Sequence, residues 1–361
     1  GLAGRPNRKK KGGKDSIWLT RELFKFDDGK LFIGTKSNNI GYLSFDAHRE
    51  FDIPKSITIS RKNGEYFVSF CYQDQLGSNE NPIEIIEKIA SQGKDALLES
   101  TTGLDRGVVI ALQSSNGNSF DFTKEQKASI IRNQRRIKKQ QRRLARQQKT
   151  SKRRAETKTK ISKAHEQIAN IRKDFAHKTS RTLADSDSRI FIAEDLKVKN
   201  MTQKPKAKKD QNGKYLHNRA KAKAGLTAAI LNSAWGAMIL FLAYKTVREN
   251  KVVVKIPPHK SSQECVVCGH THPDNRQTQA NFVCQNCGHA ENADLNASKV
   301  LRKRGIKQIL SVPSNEWKIM SDHTLRLGSD GTRGTRGSAR GGNVRRNGRM
   351  LLRCPKEARI W

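Results

Sequence analysis

Four cysteines in Cys265-x2-Cys268-x15-Cys284-x2-Cys287 are followed at once by Asn292-Ala293-Asp294-Leu295-Asn296-Ala297, and the chain is best read outward from this stretch. Two Cys-x2-Cys turns about fifteen residues apart can fold back and present four thiolates tetrahedrally to one zinc ion. Each pair ends in Cys-Gly, at Cys268-Gly269 and Cys287-Gly288, and glycine permits the tight backbone that such a knuckle needs. With four thiolates the site is structural, with no open coordination position, and His270, His272 and His289 are bystanders. The other cysteines, Cys71 and Cys354, stand singly and form no disulfide framework.

Charge sets the partner class. With 71 Lys and Arg against 34 Asp and Glu, 361 residues carry a formal net charge of +37. A single-sign excess of that size repels itself unless a polyanion neutralises it, which points to nucleic acid. No signal peptide is visible, so the cysteines are expected to meet a reducing cytoplasm, close to the nucleoid. The apolar run within residues 226–247 is interrupted by Asn232, Ser233 and Gly236 and reads as a buried core helix, with no membrane partner.

Hydrophobic patterning divides the chain. Residues 1–75 read as short alternating strands of a partial β-barrel, with Ser56–Ser60 and Tyr66–Phe70 joined across an Asn63-Gly64 hairpin turn. Residues 76–102 read as a linker with a short amphipathic helix. Gly103–Leu112 reads as one buried strand with Asp105 at its start, Ser188–Glu194 as a second ending in Glu194, and Lys251–Ile256 as a third. Between the first two, residues 124–181 hold 21 Lys and Arg, four acids and no Gly or Pro, and isoleucines recur at helical spacing. Two long helices in a basic, phosphate-tracking hairpin are expected there. One α/β domain is thus read over 103–260, the zinc module over 261–290, the closing part of the α/β domain over 291–315, and a disordered Gly/Arg-rich tail over 316–361.

Asp105, Glu194 and Asp294 sit at a strand start, a strand end and near a helix N-terminus. Widely spaced acids of this kind, brought together by adjacent strands and a packing helix, could hold two divalent ions for phosphodiester cleavage. Asp195 should point to the opposite face by strand alternation.

Gly103-Leu104-Asp105-Arg106-Gly107, Ile192-Ala193-Glu194-Asp195-Leu196 with Lys199-Asn200-Met201, the two Cys-x2-Cys-Gly turns and Ala293-Asp294-Leu295-Asn296-Ala297-Ser298 together resemble the ordered motif set of the TnpB (OrfB) proteins of insertion sequences, relatives of the compact type V CRISPR effectors. That resemblance implies an α/β fold with a RuvC-type, RNase H-like nuclease domain. It also implies an inserted zinc ribbon, a basic helical hairpin and a partial β-barrel wedge domain in front. The implied activity is that of a DNA endonuclease guided by a noncoding RNA. Asp105, Glu194 and Asp294 would be the Mg²⁺ ligands, with Cys265, Cys268, Cys284 and Cys287 on zinc. It further implies that the family's opening wedge strands and recognition lobe precede Gly1, so that the chain is N-terminally truncated. A guide-independent RNase H-like nuclease or recombination enzyme would use the same acids but leave the zinc module and hairpin without a task. A non-cleaving RNA-guided repressor would be expected to have lost one of the three acids, and none is lost.

Overall fold

The computed structural model describes residues 15–35, 37–47, 50–62, 65–71, 80–327 and 357–360. It is a mixed α/β protein whose chain divides into two units. The first unit is built from strands β1 (Asp15–Thr20), β2 (Phe24–Asp27), β3 (Lys30–Gly34), β4 (Asn39–Asp46), β5 (Ser56–Lys62) and β6 (Glu65–Cys71). A further strand, Glu357–Ile360, pairs antiparallel between β6 and β4, giving the order β1-β5-β6-(357–360)-β4-β3-β2. Alternation decides which side is buried. Leu19, Ile57, Val68 and Phe70 from one end of this order share a core with Phe24, Leu31 and Ile33 from the other, so the sheet curls over a common apolar interior. Phe26, Phe45, Phe51 and Phe70 fill it with ring centroids 4.8–5.9 Å apart, the spacing of tilted and edge-on aromatic pairs. Lys62 lies opposite Glu65 across the β5–β6 hairpin; the expected Asn63-Gly64 turn itself falls outside the described residues.

In the second unit, helices α1 (Pro82–Ala90) and α2 (Lys94–Ser100) lead into strands β7 (Thr101–Asp105), β8 (Leu112–Ser114) and β9 (Ser119–Phe120). Then come the long helices α3 (Lys124–Ala145) and α4 (Lys152–Ala184), the latter belonging to this unit from Ala164 onward, strand β10 (Ile190–Glu194), the short helix α5 (Val198–Met201) and the two-residue strands β11 (Lys208–Lys209) and β12 (Tyr215–Leu216). Helices α6 (Ala220–Asn232) and α7 (Trp235–Val247) precede β13 (Val252–Ile256), and β14 (Asn281–Val283) and β15 (Ala290–Asn292) precede helix α8 (Ala293–Ser311). Strands β16 (Lys318–Ile319) and β17 (Leu325–Arg326) complete a sheet ordered β16-β17-β13-β10-β7-β8-β9. Its centre, β7-β10-β13-β17, is parallel. Central parallel strands are covered on both faces, which is why β10 is buried along its whole length and β13 reads Val-Val-Val-Lys-Ile.

The structure differs from the sequence reading at four places. Gly103–Leu112 is not one strand: β7 ends at Asp105, the chain turns, and β8 returns antiparallel with Ser114 opposite Leu104. Asp105 therefore ends a strand, with Gly107 allowing the turn, since a Cβ there would lie 2.5 Å from the Ile110 carbonyl. The 76–102 linker instead carries two core helices that bury Ile85, Ile86, Ile89 and Leu97 against Ile190, Ile192, Val252 and Val254. Within the tail assigned to 316–361, Trp317 and Leu325 are buried in that same core, and β17 pairs with β13. Two-residue strands offer no period for alternation to reveal. Finally, the apolar run splits into α6 and α7, because Ala234 adopts φ +56° and ends helical hydrogen bonding there. The whole stretch Ala220–Val247 is long and apolar enough to span a membrane by composition, yet α7 buries Trp235, Met238, Ile239, Leu242 and Ala243 and packs against β13.

Candidate active site

Parallel pairing of β7 with β10 ends at Leu104 opposite Ala193, so Asp105 and Glu194 leave the sheet side by side at its carboxyl edge. Asp294 reaches the same place from the first turn of α8. That turn is set by Asn292, whose side-chain oxygen accepts from the backbone N–H of Asp294 and Leu295 at 3.0 and 3.1 Å. The helix can approach because residue 103 is glycine: a Cβ there would sit 2.0 Å from the Ser298 carbonyl oxygen. A second glycine, Gly305, lets α8 rest on Ile192 in the next strand. Burial, and then the charges of Glu194 and Asp294, push the Asp105 carboxyl up to about 7.

Cationic and polar groups surround this cluster. Arg276 forms an ion pair with Asp294 at 2.9 Å while also donating to the Gln279 carbonyl at 2.8 Å. Arg106 is buried and donates to the backbone oxygen of Glu194; burial pulls its pKa below the usual arginine value, opposed by the charges of Glu194, Asp105 and Asp195. The Ser261 hydroxyl donates to Glu194 Oε1 at 2.5 Å. Asp195 is drawn away from the group: its backbone N–H pairs with the Ile256 carbonyl and its carboxylate with Arg326 at 2.7 Å. A second pair, Lys255 to Asp322 at 2.6 Å, ties β13 to the turn before β17.

The four cysteine sulfurs lie within 4.8 Å of one another, the group among the described residues whose donor atoms all converge to hold a metal ion. Sγ of Cys265 is 3.7 Å from that of Cys287, and Sγ of Cys268 is 3.5 Å from that of Cys284. Thiolates about 2.3 Å from a shared tetrahedral ion would be separated by about 3.8 Å, so the donor set fits one. Both knuckles fold alike. Gly269 and Gly288 adopt φ +76° and +70°, and their N–H groups bond back to the carbonyls of Cys265 and Cys284 at 2.9 and 3.0 Å. Burial raises the Cys265 thiol above its ordinary value, while a backbone hydrogen bond from His270 holds Cys268 below its own.

Several of these residues were not singled out from the sequence. Asn275, fully buried, donates to the Gln263 and His270 carbonyls and accepts from Gln285 N–H, so it joins the two knuckles and aims the next residue, Arg276, at Asp294. Asn296 does the same job toward the helix, accepting from Val266 N–H at 3.1 Å and donating to the Glu264 carbonyl at 2.7 Å. Its position two residues after Asp294 was a usable signal. For Arg276, in a chain with 71 basic residues, no local signal exists.

Comparison with known proteins places this arrangement. Residues 85–204 match the OrfB_IS605 family model, described as "Probable transposase", and residues 235–301 match the TNB domain of Cas12f1-like proteins. Over 303 residues the chain is 31% identical to a protein of Escherichia coli (strain K12) named as RNA-guided DNA endonuclease InsQ, a match covering 83% of this chain and 68% of that one. A Streptomyces pristinaespiralis protein bearing the same endonuclease name is 25% identical, covering 83% and 65% respectively. The chain thus spans about two thirds of the length of these relatives. Among solved structures, the Cas12f1–guide RNA–target DNA complex aligns at 14% identity and a TM-score of 0.39, over 83% of this chain and 69% of that one. Motif order, matched domains and relatedness over most of its length agree: the chain belongs to the TnpB (OrfB) family of transposon-associated RNA-guided endonucleases, kin of the compact type V CRISPR effectors.

Proposed function

We propose that the protein is an RNA-guided DNA endonuclease whose RuvC-type, RNase H-like domain cuts DNA at Asp105, Glu194 and Asp294. The observation that carries this reading is the convergence of three carboxylates at the carboxyl edge of a parallel sheet in a chain of net charge +37. Burial, and then the charges of Glu194 and Asp294, push the Asp105 carboxyl up to about 7, and acids so placed suit divalent cations. When bound, two Mg²⁺ ions would supply an activated water and charge stabilisation at the scissile phosphate.

The chain's own residues prepare that chemistry. Arg106 and Ser261 hold Glu194 from its backbone and its side chain. Arg276 neutralises Asp294 and sets a guanidinium beside the acids, a group suited to the non-bridging oxygens of a phosphate. Cys265, Cys268, Cys284 and Cys287 would hold a structural zinc ion, and Asn275 joins the two knuckles through its bond from Gln285 N–H. Guide pairing reads the DNA sequence, while the exposed lysines and arginines of α3 and α4 meet phosphates of guide RNA and target DNA.

The test is to express the chain with its flanking genomic DNA, purify it in high salt, sequence the bound RNA, and supply a plasmid matching that RNA. One abundant RNA and cleavage that vanishes in Asp105→Ala and Glu194→Ala, with RNA and DNA binding retained, is the expected result. Random RNA, or cleavage at the parental rate in either variant, would overturn it.

A further inference from the structure

Between Glu194 and helix α6 the chain makes an excursion that the active site does not use. Residues 204–223 contain eight Lys and Arg and one acid. Lys204, Lys206, Lys208, Lys209, Lys214 and Arg219 are all exposed. The acid, Asp210, is committed to the turn, its Oδ1 accepting from Asn212 N–H at 3.0 Å and Lys214 N–H at 2.8 Å. Gly213, at φ +77°, closes the turn, and Asn218 ties down its base by donating to the Lys206 carbonyl at 3.1 Å. The β11–β12 hairpin is thus held by its own polar groups, and all four of its strand residues are exposed.

Such a hairpin has no folding reason to carry an aromatic residue outward, yet it does. Tyr215 is 69% exposed and Leu216, beside it, 51%. Lys209, directly opposite Tyr215 across the ladder, sets its ammonium 4.9 Å from the ring centroid. The cation covers one side of the ring, and the large exposed area of Tyr215 leaves the other open. A π-face backed by a cation and flanked by lysines is the combination that takes an unpaired base by stacking and its phosphates by charge. A duplex, whose bases already stack on each other, gains little from it.

We infer that Tyr215, backed by Lys209, is a stacking platform for an unpaired base of single-stranded nucleic acid. Taken with the nuclease reading, on which only this identification rests, the occupant is the DNA strand opened by guide pairing.

The test uses the full chain with its copurified RNA in an Asp105→Asn background, so that DNA is not consumed, and a fluorescent single-stranded oligonucleotide carrying 2-aminopurine. Binding should quench the 2-aminopurine. Tyr215→Ala should abolish the quench and weaken single-strand affinity on the order of 5- to 150-fold, the range that loss of one stacked base produces. Tyr215→Phe, which keeps the ring, should retain both, and duplex affinity should be unchanged by either substitution. Equal affinity and equal quenching in Tyr215→Ala, or no single-strand binding by the parent, would overturn the inference. Plasmid cleavage by the otherwise unchanged chain scores the nuclease reading separately, so either can fail alone.

Discussion

The contact between α8 and β7 can be tested by adding one methyl group. In Gly103→Ala the new Cβ would meet the Ser298 carbonyl oxygen at 2.0 Å and the Arg302 backbone nitrogen at 2.8 Å. The first is about 1.4 Å short of an ordinary 3.4 Å contact, and both partners are backbone, so no rotamer change relieves it. The helix must lift from the strand. Overpacking of a tight interior typically costs about 1–3 kcal/mol, and a clash between backbones belongs at the upper end. For a domain of this size about 3 kcal/mol lowers the melting temperature by roughly 6–12 °C. The displacement also moves Asp294, one turn before Ser298, relative to Asp105, and a misplacement of about 1 Å in a catalytic group costs on the order of 100-fold in rate. Gly225→Ala is the control: nothing lies within 4 Å of that position in α6, so alanine should be neutral or should stabilise by up to about 1 kcal/mol. Calorimetry and plasmid cleavage read both effects. If Gly103→Ala melts with the parent and cuts at the parental rate, the close approach of α8 to β7 is wrong, and with it the route by which Asp294 reaches the other acids.

Two further outcomes are expected. Cys284→Ser should release one bound metal ion per chain and loosen the knuckles, because a structural metal contributes its binding energy to folding; unchanged metal content by elemental analysis would contradict the four-thiolate site. Trp317→Ala should destabilise the second unit by about 3 kcal/mol, since this side chain is buried with Leu325 and its indole N–H donates to the Val312 carbonyl at 3.0 Å. A melting curve that does not move would return residues after 316 to the tail inferred from composition.

What the sequence alone determined is what local spacing can encode. The Cys-x2-Cys repeat dictates two like knuckles, because the glycine after each second cysteine has to adopt a positive φ for the turn to close. Unbroken Lys- and Arg-rich stretches with isoleucine at helical intervals dictate α3 and α4, and continuous apolar runs dictate β10 and β13. The acids were legible as candidates for a different reason: each sits where a strong pattern begins or ends, which is where side chains leave a sheet or a helix. Tertiary structure decided the rest. That β7 stops at Asp105 depends on the return strand β8 and on room that only Gly107 leaves. That Trp317 and Leu325 are core depends on β17 finding β13 some seventy residues back in the chain. The neighbours of the acids, Arg106, Ser261 and Arg276, come from three separate segments, and their roles exist only as distances. A basic residue among 71 has no local signature, and only the fold sets one of them 2.9 Å from Asp294.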